Sequence, residues 1–357
     1  MNTPQNDKCL IVIVSLNQLN YTRGCIESIV NNTAYPYKIL VVDNGSDRET
    51  EAYLRGLRDN GVIDVIFNRE NRGWVAAVNQ GLFYSADAYV CVMNNDTLVY
   101  PGWLKEMVAA AESAKEAGLV NPLWELPRGF RGDYHLYFHR VVGNQAGQFV
   151  ETDWARGFCF LVKRAVIQRI GGLDKAFAPA YYDDWDYSRR AINAGFICLR
   201  AKGALVRHYV NVTYPEVLGQ GKFNDLFLQK RELFHRRWGR PLRIVFIFSR
   251  AVADKDKIKE RLFALARAQH HLYLWGPPGM PRIEHTNVQV RVSPWFLVAL
   301  FALLDIGNNL GRNRHKHYDI VFLDDYGLLY RLLRLWGLRV SNLASVSNLV
   351  SELPNYL

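Results

Sequence analysis

Along the first 120 residues, short apolar runs alternate with amphipathic stretches of a different period. CLIVIVSL (9–16), KILVVDN (38–44), VIDVIF (62–67) and YVCVM (89–93) are rich in β-branched residues and too short for helices, which predicts buried strands. Between them, residues 21–32 place Cys25, Ile26, Ile29 and Val30 on one helical face. A second helix over 48–58 follows the capping residues Ser46 and Asp47, and small residues make a third over 73–86. Pro101 opens a helix over 101–118. Strands alternating with helices predict an α/β fold with a mostly parallel sheet covered on both faces.

Each apolar run ends in polar residues: Ser15-Leu16-Asn17, Asp43-Asn44-Gly45, Asn68, and Asn94-Asn95-Asp96. Turn or capping duty accounts for any one of these alone. Together they mark the carboxyl ends of parallel strands, where open α/β sheets bind ligands.

After residue 120 the alternation weakens. Residues 123–149, rich in Gly and aromatics, read as an irregular, partly mobile surface segment. Order resumes with a strand through FCFLV (158–162), a short helix stopped by Gly171-Gly172, a helix from about Asp184 to Asn193, and a strand over 196–200. Near Gly239-Arg240-Pro241 the pattern restarts. RIVFIFSR (243–250), a helix over 254–269, LYLWG (272–276), VQVRV (288–292), YDIVFLD (318–324) and a Leu/Arg-rich helix over 326–336 form a smaller Rossmann-like α/β domain. The predicted domains are 1–240 and 241–357.

Composition narrows the function classes. A chain of 357 residues with 49% apolar and 22% charged residues is globular and long enough for two cores. The start, MNTPQNDKCL, lacks a basic-then-apolar leader, and the longest apolar run (295–304) is about half a membrane helix. Five cysteines in apolar surroundings, with no C-x-x-C pair, read as buried thiols of a reducing compartment. A cytoplasmic protein is expected, with the inner membrane face as a second address. The net charge is +10, and residues 241–357 contribute +6 of it, from 15 basic and 9 acidic residues. Without interleaved aromatic and basic residues this excludes a nucleic-acid module and suits a phosphorylated small molecule or an anionic membrane surface. For the membrane, the relevant cations are Arg312, Arg314, Lys316, Arg331, Arg334 and Arg339. Neither G-x-G-x-x-G after the first strand nor a P-loop is present, so a bound nucleotide's phosphates need a metal, Arg or Lys.

The segments VSLN (14–17), ILVVDNGSD (39–47), NRENRGWVAAVNQG (68–81), VMNNDTLVYPGWL (92–104), RGFCFLVKR (156–164), GGLDKAFAPAYYDDWDYSRRAINAGF (171–196) and RELFHRRWGRP (231–241) occur in an order that resembles family 2 glycosyltransferases of the GT-A fold. The bacterial rhamnosyl- and galactofuranosyl-type enzymes of cell-surface polysaccharides are the subgroup most resembled. The resemblance implies an inverting transferase that moves a sugar from a UDP- or dTDP-sugar to a hydroxyl of a glycan or lipid-linked saccharide. It places Asp43 on the uracil or thymine imide. Arg72 and Gly73 stand near the nucleotide, and Ser15, Asn17, Asn44, Asn79, Asn95, Gly157 and Asp186 surround the nucleotide sugar. Asn94-Asn95-Asp96 stands where the family has D-x-D. Asp96 and Asn94, with His208 as a third contact, would hold Mn²⁺ or Mg²⁺. Asn94 in place of the first Asp removes one negative charge, so the diphosphate must supply more of it.

Tyr181-Tyr182-Asp183-Asp184-Trp185-Asp186 crowds three acids into four positions. Acids suit the start of a helix, but close carboxylates repel and raise one another's pKa, which suits a general base near neutral pH. The resemblance puts the base on Asp184, with Asp183 where relatives have Glu. Trp154, Trp185, Tyr181 and Tyr182 either stack on sugar rings or pack a core. Two rival classes remain. A nucleotidyltransferase of the same fold would carry a Gly-rich basic loop after the first strand, which SLNQLNY (15–21) lacks. A catalytically weak binder would not hydrolyse nucleotide sugars.

Overall fold

The computed structural model describes residues 8–209, 220–248, 254–310, 317–324 and 327–342. The chain divides into two compact units, Met1–Phe234 and His235–Leu357.

In the first unit β1 (Cys9–Ser15) is central and wholly buried. It pairs in parallel with β2 (Tyr37–Asp43) on one side and β4 (Tyr89–Asn94) on the other, and β3 (Asp64–Phe67) extends the sheet beyond β2. Beyond β4 the sheet is mixed. β8 (Cys159–Lys163) runs antiparallel to both β4 and β6 (Ala117–Leu123), and β9 (Ile197–His208) runs parallel to β6. β5 (Thr97–Val99) and β7 (Phe149–Thr152) flank β9 antiparallel. The helices are α1 (Leu19–Asn32), α2 (Arg48–Asp59), α3 (Trp74–Leu82), α4 (Trp103–Glu112), α5 (Tyr134–Arg140), α6 (Arg164–Ile170), α7 (Asp183–Asn193) and α8 (Gln220–Trp238).

The apolar runs look continuous because both faces of the sheet are covered. Cys9, Ile11 and Ile13 of β1 join Cys25, Ile29 and Met107 in one core, whereas Leu10, Val12 and Val14 join Val75, Val78 and Tyr187 in the other. Register levels the strand ends: Ser15 lies opposite Asp43, and Val14 opposite Asn94. The polar residues that follow therefore emerge on one rim.

Several expectations change. Val30 is 48% exposed, since the buried face of α1 is Thr22, Cys25, Ile26 and Ile29. The helix expected to reach residue 118 stops at Glu112, because Ala117–Leu123 is needed as the strand between β8 and β9. The segment 123–149 contains α5, whose Tyr137 packs with Val142 and Leu205, so aromatic burial orders it locally.

The second unit is a five-stranded parallel sheet, β10 (Arg243–Ile247), β11 (His271–Gly276), β12 (Val288–Val292), β13 (Ile320–Leu323) and β14 (Arg339–Asn342), in spatial order β12-β11-β10-β13-β14. That order steps outward in both directions from β10, the doubly wound, Rossmann-like arrangement. Its helices are α9 (Lys255–Arg267), α10 (Trp295–Leu310) and α11 (Leu328–Leu335). The apolar run at 295–304 is thus the start of α10, an element the periodicity did not predict. Among the described residues no helix is long and apolar enough to cross a membrane. All five cysteines are buried and free.

Close packing of α3 on β1 yields a test. A Cβ at Gly81 would sit 2.2 Å from Val12 Cγ1. Gly81→Ala gains about 1 kcal/mol of helix propensity but overpacks at a cost of about 1–3 kcal/mol, so the clash wins. The melting temperature falls in Gly81→Ala and recovers on adding Val12→Ala, as thermal unfolding of the single and double variants will show.

Candidate active site

A cleft of about 620 Å³ opens over the carboxyl ends of β1, β2 and β4, walled by the starts of α3, α7 and β8. Asn44, Asn94, Asn95, Asp96, Gly157, Asp183, Asp184 and His208, all expected site residues, line it.

Asp43, at the end of β2 beside the lining residue Asn44 but not itself in the cleft wall, is buried, 2% exposed, and its Oδ1 has no hydrogen-bond partner among the described residues. Burial raises its pKa, and hydrogen bonds from Ser46 partly offset this. A buried carboxylate oxygen without a donor is suited to a ligand N–H. Asn44 is instead fully engaged. It donates to Asn71 Oδ1 (2.9 Å) and Gly73 O (3.3 Å) and accepts from Asn68 Nδ2 and the Arg72 N–H. It ties the end of β2 to the loop 68–73, while the Arg72 side chain is exposed outside the cleft wall. Asn17 braces the rim in a similar way, since its N–H donates to Ser46 Oγ and its Oδ1 accepts from the Asp47 N–H, both at 2.8 Å.

The central strand ends at the metal-type residues. Pairing of β5 with β9 sets Thr97 opposite His208 and so brings the imidazole to Asp96. His208 Nε2 lies 3.2 Å from Asp96 Oδ1 and 3.2 Å from Asn94 Nδ2, and Phe158 stacks on the ring at 4.9 Å. Asp96 Oδ1 is buried and receives no hydrogen bond of good geometry. These three side chains fit a divalent cation of mixed oxygen and nitrogen preference, Mn²⁺ better than Mg²⁺. Among the described residues no group of three His, Cys, Asp or Glu could hold a metal, because the third member here is an Asn. Asn95 faces away: its Nδ2 donates to Thr22 Oγ1 (2.9 Å), which meets the buried Ser15 hydroxyl (3.1 Å). Ser15 and Asn95 therefore lock β1, α1 and β4 together.

The acids of α7 divide sharply. Tyr181 and Tyr182 adopt φ of +76° and +61°, left-handed conformations that cost about 1–2 kcal/mol each for non-glycine residues. Tyr182 packs on Phe227 and Phe234, which offsets this. The turn delivers Asp183 and Asp184 into the cleft. Gly157 N–H donates to Asp184 Oδ2 (2.8 Å) and Trp185 N–H to its Oδ1 (2.9 Å), leaving acceptor capacity on both oxygens. A Cβ on Gly157 would press on that carboxylate at 3.4 Å. Trp74 Nε1–H donates to Asp183 Oδ2 (3.0 Å). Burial pushes both carboxyls well above the usual range. The charge of Asp184 raises Asp183 further, while the Gly157 and Trp185 N–H groups and Arg156 restrain Asp184. Asp186, fully buried and bonded to Arg190 (2.8 Å), lies outside the cleft wall; Arg190 also holds Ile170 O and Gly172 O.

Asn79 is likewise a strut, exchanging hydrogen bonds with the backbone of Leu173 at 2.9 and 2.7 Å. Gly73 sits where a Cβ would lie 2.7 Å from Pro179 Cβ, so its bareness serves the contact between α3 and the segment before α7. Trp154 and Trp185 stack at 4.2 Å and line the cleft with Tyr181 and Tyr182, so the aromatics both pack and present faces. Trp74, Trp124 and Phe227 were missed. Trp74 follows Gly73 at a helix start, a legible signal, whereas Trp124 lies in the segment read as irregular.

The Glycosyl transferase family 2 sequence profile matches residues 10–171, within the first unit. The chain is 24% identical over 233 residues to the N-acetylglucosaminyl-diphospho-decaprenol L-rhamnosyltransferase of Mycobacterium tuberculosis, covering 56% of this chain and 75% of that protein. It is 26% identical over 192 residues to the O-antigen biosynthesis protein RfbC of Myxococcus xanthus, covering 48% of this chain and 15% of the relative. The chain thus spans a small part of some long curated relatives, 23% of one and 15% of another. A solved mannosyltransferase from Pyrobaculum calidifontis, in complex with GDP-Man and Mn²⁺, is similar with a TM-score of 0.48 and 17% identity, over 64% of this chain and 65% of that one.

The raised pKa of Asp183 has a stability consequence. An unfolded Asp loses its proton near pH 4, whereas the folded side chain keeps it to higher pH, so this group costs the fold stability as pH rises between those values. Asp183→Asn keeps an acceptor for Trp74. Its melting temperature should exceed that of the parent at pH 8, with the gap closing towards pH 4 in a pH series of thermal melts.

Proposed function

We propose that the first unit is a metal-assisted inverting glycosyltransferase that uses a UDP- or dTDP-sugar and a hydroxyl of a glycan or lipid-linked saccharide. The observation that carries this is the Asp184 carboxylate, held by two backbone N–H groups in the same cleft as Asp96 and His208, with the unpartnered Asp43 oxygen next in sequence to the cleft-lining Asn44. Asp43 accepts the imide N–H of the base. Asp96, Asn94 and His208 would hold the cation, which when bound neutralises charge on the diphosphate.

Asp184 takes the proton of the acceptor hydroxyl. The oxygen's electron pair forms the bond to the anomeric carbon as the bond to the phosphate oxygen breaks, its electrons leaving with the diphosphate. Attack opposite the departing group inverts the anomeric configuration. Burial and the charge of Asp184 keep Asp183 protonated when Asp184 is ionised, against the opposing hydrogen bond from Trp74, which avoids two adjacent negative charges.

The test pairs binding with turnover. At about 100 times Kd a bound donor stabilises by roughly 2.7 kcal/mol, which raises the melting temperature by several degrees. A screen of UDP- and dTDP-sugars with Mn²⁺ should give such a shift in parent and Asp184→Asn alike. Slow donor hydrolysis should fall about 10²–10⁴-fold in the variant. No shift with any donor, or near-normal hydrolysis by Asp184→Asn, removes the proposal.

The second unit's role follows from its surface. Trp295 (71% exposed) and Phe296 on α10 and Leu335 (81% exposed) on α11 are apolar and solvent-facing, and α11 also carries exposed Arg331 and Arg334. Arg312, Arg314 and Lys316 lie outside the described residues. Apolar anchors with cations suit an anionic lipid surface. Sedimentation with vesicles should increase with phosphatidylglycerol content and weaken in Trp295→Ser; binding indifferent to lipid charge overturns it.

A further inference from the structure

Beside the base, the cleft wall contains a cation that forms no ion pair with Asp184 or Asp96 among the described residues. The Arg156 guanidinium lies 4.2 Å from the ring centre of Trp124 and 4.4 Å from that of Trp154. Arg200 stacks on Trp124 as well, at 4.5 Å. Neither guanidinium has a carboxylate within salt-bridge distance or donates a side-chain hydrogen bond among the described residues, and Nε of each is buried without a partner. Glu125, Asp153 and Asp184 act on Arg156 only at longer range. Both side chains are partly buried, and a partly buried cation without an ion pair is stabilised when an anion arrives.

The position is fixed. Asn121, fully buried at the end of β6, accepts from the Arg156 N–H (2.8 Å) and donates to Arg156 O (3.3 Å) and Cys159 O (2.6 Å). The next residue, Gly157, holds Asp184 through its N–H. Arg156 and the base therefore share one rigid frame. Indole contact on the guanidinium's faces leaves its in-plane N–H fork at the edge, the geometry that grips two oxygens of a carboxylate or phosphate.

We propose that Arg156, backed by Arg200, is a specificity residue that binds an oxyanion on the acceptor, so that the acceptor is an acidic or phosphate-bearing saccharide. The inference rests on the glycosyl-transfer reading for the word acceptor; the anion site itself does not. Trp124 and Trp154 supply apolar faces for the sugar ring.

The test uses the full chain without nucleotide. Binding of methyl glucuronide and of glycerol 3-phosphate is compared with that of methyl glucoside and glycerol, read by tryptophan fluorescence and ligand-observed NMR. An acidic probe should bind about tenfold tighter than its neutral counterpart, the glucuronide pair reporting a carboxylate site and the glycerol phosphate pair a phosphate site. Arg156→Gln should abolish that preference, Arg156→Lys should retain part of it, and both should melt like the parent. UDP affinity with Mn²⁺, measured separately, should be unchanged in Arg156→Gln. Equal binding of acidic and neutral probes overturns the proposal. So does a preference that survives Arg156→Gln, or a loss of UDP affinity in that variant, which would assign Arg156 to the donor diphosphate. A parent that binds no nucleotide but keeps the Arg156-dependent preference would remove the transferase reading and leave the anion site standing.

Discussion

Two carboxyl groups, buried Asp183 and partly buried Asp184, stand side by side at the start of α7, and much of the first unit's unusual local structure is needed to put them there. Two consecutive tyrosines take left-handed backbone conformations so that the helix can begin inside the cleft. Gly73 gives up its side chain so that α3 can meet Pro179, and that contact carries Trp74 to Asp183. The Gly157 N–H reaches Asp184, with room for little more than a Cβ between them. Asn121 then fixes the strand start to which Gly157 belongs. Each of these arrangements removes a degree of freedom from the two carboxyl groups, which is what the proposed role of Asp184 as a base requires.

The fold was legible in the sequence where one physical signal dominated. Strands β1, β2 and β4 are covered on both faces, so their residues had to be apolar without alternation, and their polar ends had to coincide once the strands were parallel. Legibility failed where tertiary pairing outweighed local preference. Ala117–Leu123 follows a helix-forming stretch of Ala, Glu and Lys and becomes a strand because β8 and β9 need a partner between them. α10 was hidden because an apolar run without alternation suits either a strand or a buried helix.

At the site, motif order identified the neighbourhood but not the duty of each side chain. Asn44, Asn79, Asn95 and Asp186 share chemistry with ligand-binding residues, yet the structure shows their hydrogen bonds directed to protein partners. Asp43 and Asp96 differ from them in one respect: each keeps a buried oxygen without a well-made hydrogen bond. Whether a polar side chain is occupied depends on residues tens of positions away, and composition cannot report it. Arg156 shows the reverse case, a residue unremarkable in sequence whose lack of an ion pair is visible only in three dimensions.

The pairing of β5 with β9 has a consequence for how this cleft comes into being. Asn94 and His208 are 114 positions apart, yet their side chains meet. During synthesis the rim up to Asp96 is made early, but the imidazole that meets it arrives only after β6, β8, α7 and β9 have been made. Closing a contact over so long a stretch has an entropic cost that local contacts lack. The Asp96 end of the cleft is therefore completed by the last-made strand of the first unit, so its geometry depends on nearly the whole of that unit being folded.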